Sequence, residues 1–162
     1  LVFVNFYLGI ARGALDSAAE YTRTTTRAWL HSTVDNALDE PYIIDLYGDY
    51  TAKLWAAEAL ADAVAAEQQR LHDDADAVTE TQRGEHEVRV AAAKARATEV
   101  ALEITAGIFE ALGARATASS HGFDRFWRNV RTHTLHDPVF YKRREVGRHV
   151  LTGELPTPTW YS

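Results

Sequence analysis

Phe123-Asp124-Arg125-Phe126-Trp127-Arg128-Asn129-Val130-Arg131-Thr132-His133-Thr134-Leu135-His136-Asp137-Pro138 packs three aromatics, three arginines and two histidines into one segment that a proline closes. On helical spacing Phe126, Val130 and His133 share a face, with Asp137 next along the stripe. The run is therefore expected to form an amphipathic helix over residues 123–136, with His136 on the face adjoining His133. Two neighbouring imidazoles can donate hydrogen bonds, relay protons or ligate a metal near neutral pH. On spacing alone, the simpler account is a packed helix whose histidines are satisfied.

The rest of the chain repeats the helical period, and no stretch shows the alternation of a strand. A first helix is expected over residues 3–34, with Ile10, Ala14, Ala18, Tyr21 and Thr25 spaced along one face. Asp39-Glu40-Pro41 breaks it and supplies a proline at the start of a second helix, over residues 42–75. A polar run at 73–80 reads as a solvated turn. The third helix opens at 81–85 and stops at Gly113. It is rich in alanine (Ala91, Ala92, Ala93, Ala95, Ala97, Ala101, Ala106), which favours helix and lets neighbours approach closely. A last helix over 138–151 would hold Pro138 in its first turn, followed by a non-helical tail at 152–158. Three long and two shorter helices on short loops define an all-α, up-and-down helical bundle, a single domain over residues 1–162.

Composition narrows the function. The net charge of −6 argues against a nucleic-acid binder, although Arg125, Arg128, Arg131, Lys142, Arg143, Arg144 and Arg148 gather cations late enough for a local anion site. No cysteine is present, which excludes disulfides and thiolate chemistry and suits a cytoplasmic setting. The apolar opening, residues 1–11, lacks a basic flank and at about ten residues is too short to span a bilayer. With no methionine anywhere, it reads as a core helix entered part-way, and the chain as a C-terminal fragment. That opening and the alanine-rich helix offer more packing surface than one small bundle covers, so a dimer or tetramer is expected.

The tryptophan–arginine–histidine block, together with Phe109-Glu110-Ala111-Leu112-Gly113-Ala114-Arg115-Ala116-Thr117, Tyr141-Lys142-Arg143-Arg144-Glu145-Val146-Gly147, Glu40-Pro41-Tyr42 and Tyr47-Gly48, resembles the C-terminal part of the dibenzothiophene monooxygenase group of the acyl-CoA dehydrogenase superfamily. The resemblance runs over nearly the whole chain. It implies a C-terminal bundle that follows an N-terminal helical domain and a middle β-barrel, neither of which this sequence contains. It also implies a flavin-dependent, two-component monooxygenase that receives reduced flavin from a separate reductase and acts on a small organosulfur or related apolar substrate. Acyl-CoA oxidation with FAD, and a non-catalytic oligomerisation module, are the alternatives.

The resemblance carries a flavin-phosphate role onto Arg27, beside Trp29, although Ala28 stands where the pattern has proline. Gly113 and Ala114 match the loop that contacts the dinucleotide half of FAD in a neighbouring subunit. Here Glu110 replaces a glutamine and Ala114 replaces the second glycine. A carboxylate repels a pyrophosphate, so FMN is expected rather than FAD. Where the dehydrogenases carry their glutamate base, this chain has Asp137, flanked by His136. The resemblance implies that His136 hydrogen-bonds flavin-bound oxygen and exchanges its proton, with His133 as a second polar group. No Glu-x-x-His motif occurs, and no compact ligand set joins His133-x-x-His136, so no metal is expected. His31, His72, His86, His121 and His149 are read as surface or cap residues.

Overall fold

In the computed structural model, which describes residues 1–157, five α-helices form a bundle: α1 (Val2–Thr24), α2 (Pro41–Asp73), α3 (Glu80–Leu112), α4 (Asp124–Thr134) and α5 (Val139–Thr152), with three short 3₁₀ turns between them. No strand occurs among the described residues. The tail is non-helical from Gly153 to Thr157; Pro158, the last residue expected in it, lies outside the described residues.

α3 is the axis, packed against α1, α2, α4 and α5. It buries side chains around most of its circumference, from Val88 through Ala97, Ile104 and Ile108 to Leu112, which its alanines make possible. α2 buries one stripe, Ile43, Tyr50, Leu54, Ala57, Ala61 and Val64, and gives its other faces to solvent. Leu54, Val100, Ile104, Ile108 and Val130 are 1% exposed or less, each contributing about 1.5–3 kcal/mol of apolar burial. The alanines expected to face a partner are instead largely spent inside the chain's own core. Apolar side chains left outside include Val2, Phe3 and Phe6 on α1, Ile44 and Trp55 on α2, and Phe140, Val150 and Leu151 on α5.

Helix ends follow the local chemistry. Thr79 caps α3 in a reciprocal capping box with Gln82, two residues ahead of the expected start. Gly113 ends it with φ 77, a left-handed value that glycine adopts at little cost. Pro41 opens α2 at its first turn. Pro138 caps α5 from an extended conformation rather than sitting inside its first turn.

The first helix ends ten residues earlier than its periodicity suggests. It stops in the run Thr22-Arg23-Thr24-Thr25-Thr26, where branched side chains crowd the helix and hydroxyls offer the backbone other partners. The Thr24 hydroxyl donates to the Glu20 carbonyl at 2.9 Å. Beyond it the chain runs as a loop to Asn36, and the Trp29 amide donates to the buried Glu40 carboxylate at 3.3 Å.

Candidate functional site

The block from Phe123 to Pro138 divides into helix and turn. α4 ends at Thr134, so His133 lies on its last turn and His136 in the link to α5. Phe126 packs against the core and Val130 is fully buried. That anchors the inner face of α4 and aims His133 at the start of α1. There the Tyr7 hydroxyl meets His133 Nδ1 at 2.8 Å. Tyr7 is 1% exposed, and burial pushes its ionisation up. The hydroxyl therefore keeps its proton, and either it or His133 Nδ1 can be the donor, according to the ring's tautomer. Phe3 and Phe6 stand 4.7 and 5.4 Å from the His133 ring, and the His136 ring lies roughly parallel to it at 6.4 Å. The two expected histidines thus come together, boxed by aromatics of α1.

His136 and Asp137 open onto a cavity of about 490 Å³ whose apolar wall includes Val2, Phe3, Val90 and Ala91. Opposite stand two buried lysines, Lys94 of α3 and Lys142 of α5, each 6% exposed. Lys142 donates to both oxygens of Glu145 at 3.2 Å. Lys94 makes a close ion pair with Asp137. Burial, and then the Lys142 charge, pulls the Lys94 ammonium down to about 8, against the opposing Glu145. The Asp137 carboxylate works the other way and favours the charged form. Burial pushes Glu87, also on the cavity, above the usual carboxylate range.

The sequence did not single out Lys94 or Tyr7, and it named Lys142 only among the late cations and in the stretch that carries the resemblance. Lys94 had a signal, since it is the one charged residue in Ala91-Ala92-Ala93-Lys94-Ala95, on a face otherwise made for burial. His86 differs from its expected surface role. It is 8% exposed, and its Nδ1 lies 3.1 Å from Glu67, a carboxylate that Arg89 also grips.

The remaining expected residues gather elsewhere. Arg27, Gly113 and Ala114 line a shallow pocket of about 170 Å³, with Arg115, Glu110 and Tyr21. Two guanidiniums there outnumber one carboxylate, a donor set that fits a phosphate. Nothing lies within 4 Å of where a Gly113 side chain would start, which leaves the backbone open to approach. Trp29 is not part of this pocket. It sits in the loop after α1, 62% exposed, with its ring edge-on to His31 at 5.0 Å. From Lys94 to Gly113 the axis of α3 measures about 28 Å at 1.5 Å per residue, so the arginine pocket and the histidine cavity occupy different ends of one chain. Among the described residues, no helix is long and apolar enough to cross a membrane.

The helical bundle matches a known domain. The family model for the acyl-CoA dehydrogenase C-terminal domain matches residues 1–139, and the chain belongs to that family. Over all 162 residues it is 51% identical to a dibenzothiophene monooxygenase of Rhodococcus erythropolis, covering 39% of that protein. It is 38% identical to a probable FMNH2-dependent monooxygenase, SfnC, of Pseudomonas putida, covering 41% of it. Its fold superimposes on FMN-bound TdsC of Paenibacillus sp. A11-2 with a TM-score of 0.96 at 49% identity, over 99% of this chain and 40% of that one. The chain thus spans about two fifths of the length of these relatives.

Proposed function

We propose that this bundle is the C-terminal domain of an FMN-dependent, two-component monooxygenase, working beside an N-terminal helical domain and a β-barrel. A separate flavin reductase supplies FMNH2, and the substrate is a small organosulfur or related apolar molecule. The observation that carries the reading is His136 at the edge of an apolar cavity, backed by a second histidine whose ring is hydrogen-bonded to Tyr7. Reduced FMN, when bound, supplies the activation of oxygen. The chain's own residues do the rest. Arg27 and Arg115 hold the phosphate beside Gly113 and Ala114. Phe3, Val90 and Ala91 keep water from the cavity. His136 holds or returns a proton at a ring nitrogen, with His133 behind it.

The separation of about 28 Å between pocket and cavity supports a further part of the reading. One mononucleotide does not serve both ends of one chain, so the enzyme is a homodimer or homotetramer in which Arg27 of one copy and His136 of another face the same flavin. It works in the cytoplasm. Glu110 in the arginine pocket disfavours a second phosphate and supports FMN over FAD. Acyl-CoA oxidation needs a carboxylate ready to take a proton, and Asp137 is engaged by Lys94.

The test uses the full-length enzyme. Anaerobic titration should show tighter binding of FMNH2 than of FADH2, and ¹⁸O₂ should label a thiophene-type substrate. Preference for the dinucleotide, or product without label, would overturn the reading.

A further inference from the structure

We propose that Lys94 is a positioning residue: from the core of α3 it grips Asp137 in the turn between α4 and α5, and so fixes where His136 stands at the cavity. A lysine ammonium is among the groups least often buried, and it stays buried only with a partner. Here the partner is the residue bonded covalently to His136. The turn lies at the surface of the bundle. Leu135 and His136 are exposed, and its backbone contributes the His136 amide to the His133 carbonyl at 3.1 Å. Asp137 is the residue of that turn whose side chain enters the interior, 16% exposed, to reach Lys94.

The neighbouring charges leave the pair intact. Lys142 is paired with Glu145, one turn along α5. α3 in turn is the best-anchored element, wrapped by the four other helices. The ion pair therefore transmits the rigidity of the core across one peptide unit to the imidazole. A methionine at 94 would keep the stem and lose the grip. An arginine would keep the grip, because the adjoining cavity has room for its longer head.

The activity arm of the test rests on the monooxygenase reading, whereas the structural arm does not. In the full-length enzyme with FMNH2, Lys94→Met should lower the product formed per flavin oxidised by about 10- to 100-fold, with hydrogen peroxide replacing product. That is the scale on which an ångström of misplacement acts. FMNH2 affinity should stay unchanged, and Lys94→Arg should recover most of the coupling. Amide hydrogen exchange across residues 135–139 should quicken in Lys94→Met while α1 and α2 keep their protection. Should that variant fail to fold, Asp137→Asn, which preserves volume, is expected to give the same uncoupling and the same local exchange. Unchanged exchange at the turn would overturn the anchoring, and quickened exchange with unchanged coupling would overturn the link to His136. Failure of the oxygenase reading would show in the unsubstituted enzyme as absence of oxygenated product, and the exchange comparison would still decide whether Lys94 holds the turn.

Discussion

Gly107→Ala is the sharpest probe of how closely α2 and α3 approach. A methyl group at Gly107 would stand 1.8 Å from the Tyr50 hydroxyl oxygen and 2.7 Å from the ring carbon that bears it. Tyr50 is 8% exposed, so its stiff ring has no free space to swing into without disturbing the core. Overpacking of this kind costs about 1–3 kcal/mol, and contact with a whole buried ring puts the cost near the top of that range. Replacing a mid-helix glycine by alanine returns about 1 kcal/mol of helix propensity. The net loss is then about 2 kcal/mol, or about 4–8 °C in Tm for a domain of this size. In a Tyr50→Ala background the clash is gone, and the same substitution should stabilise by about 1 kcal/mol. Thermal and urea unfolding of the four proteins of the cycle measure both effects. The decisive feature is the reversal of sign. A loss of equal size in both backgrounds, or a neutral Gly107→Ala alone, would refute the close approach.

Two further substitutions probe the histidines. Tyr7→Phe should cost about 0.5–1.5 kcal/mol in stability and change the ¹⁵N imidazole shifts of His133, whose Nδ1 loses its partner; shifts identical to the unsubstituted protein would show that Tyr7 does not engage the ring. His136→Ala in the full-length enzyme should still oxidise FMNH2 but release peroxide instead of product, from the loss of a hydrogen bond of about 1–3 kcal/mol at the reacting stage; unchanged product yield would remove His136 from the chemistry.

The number and order of helices were legible because each signal was local. Period, capping residues and Gly113 all lie within a few positions of what they control. The overrun of the first helix came from the same locality. Thr25 continues the spacing of Ile10, Ala14, Ala18 and Tyr21, while the event that ends the helix is a set of hydroxyl and carboxylate contacts that spacing does not register. Trp29 was placed near Arg27 by proximity in sequence, but a loop separates what a helix would have stacked. Arg27 and Gly113, far apart in the chain, line one pocket, a meeting that no spacing along the sequence could register. The Lys94–Asp137 pair was the hardest to see. It depends on α4 doubling back along α3, so a lysine set among alanines hints at burial without naming its partner.

The alanines on α1 and α3 act as shims. Ala11, Ala14 and Ala18 share the core with Ala93, Ala97 and Ala101, all 1% exposed or less. Side chains this small set the thickness of the joint between the helix that bears Tyr7 and the helix that bears Lys94. A single added methylene in that joint would tilt α1 and carry Phe3, Phe6 and Tyr7 with it, because close-packed cores transmit strain. The shape of the histidine cavity can therefore drift over evolutionary time, or be tuned by design, through residues that never touch it.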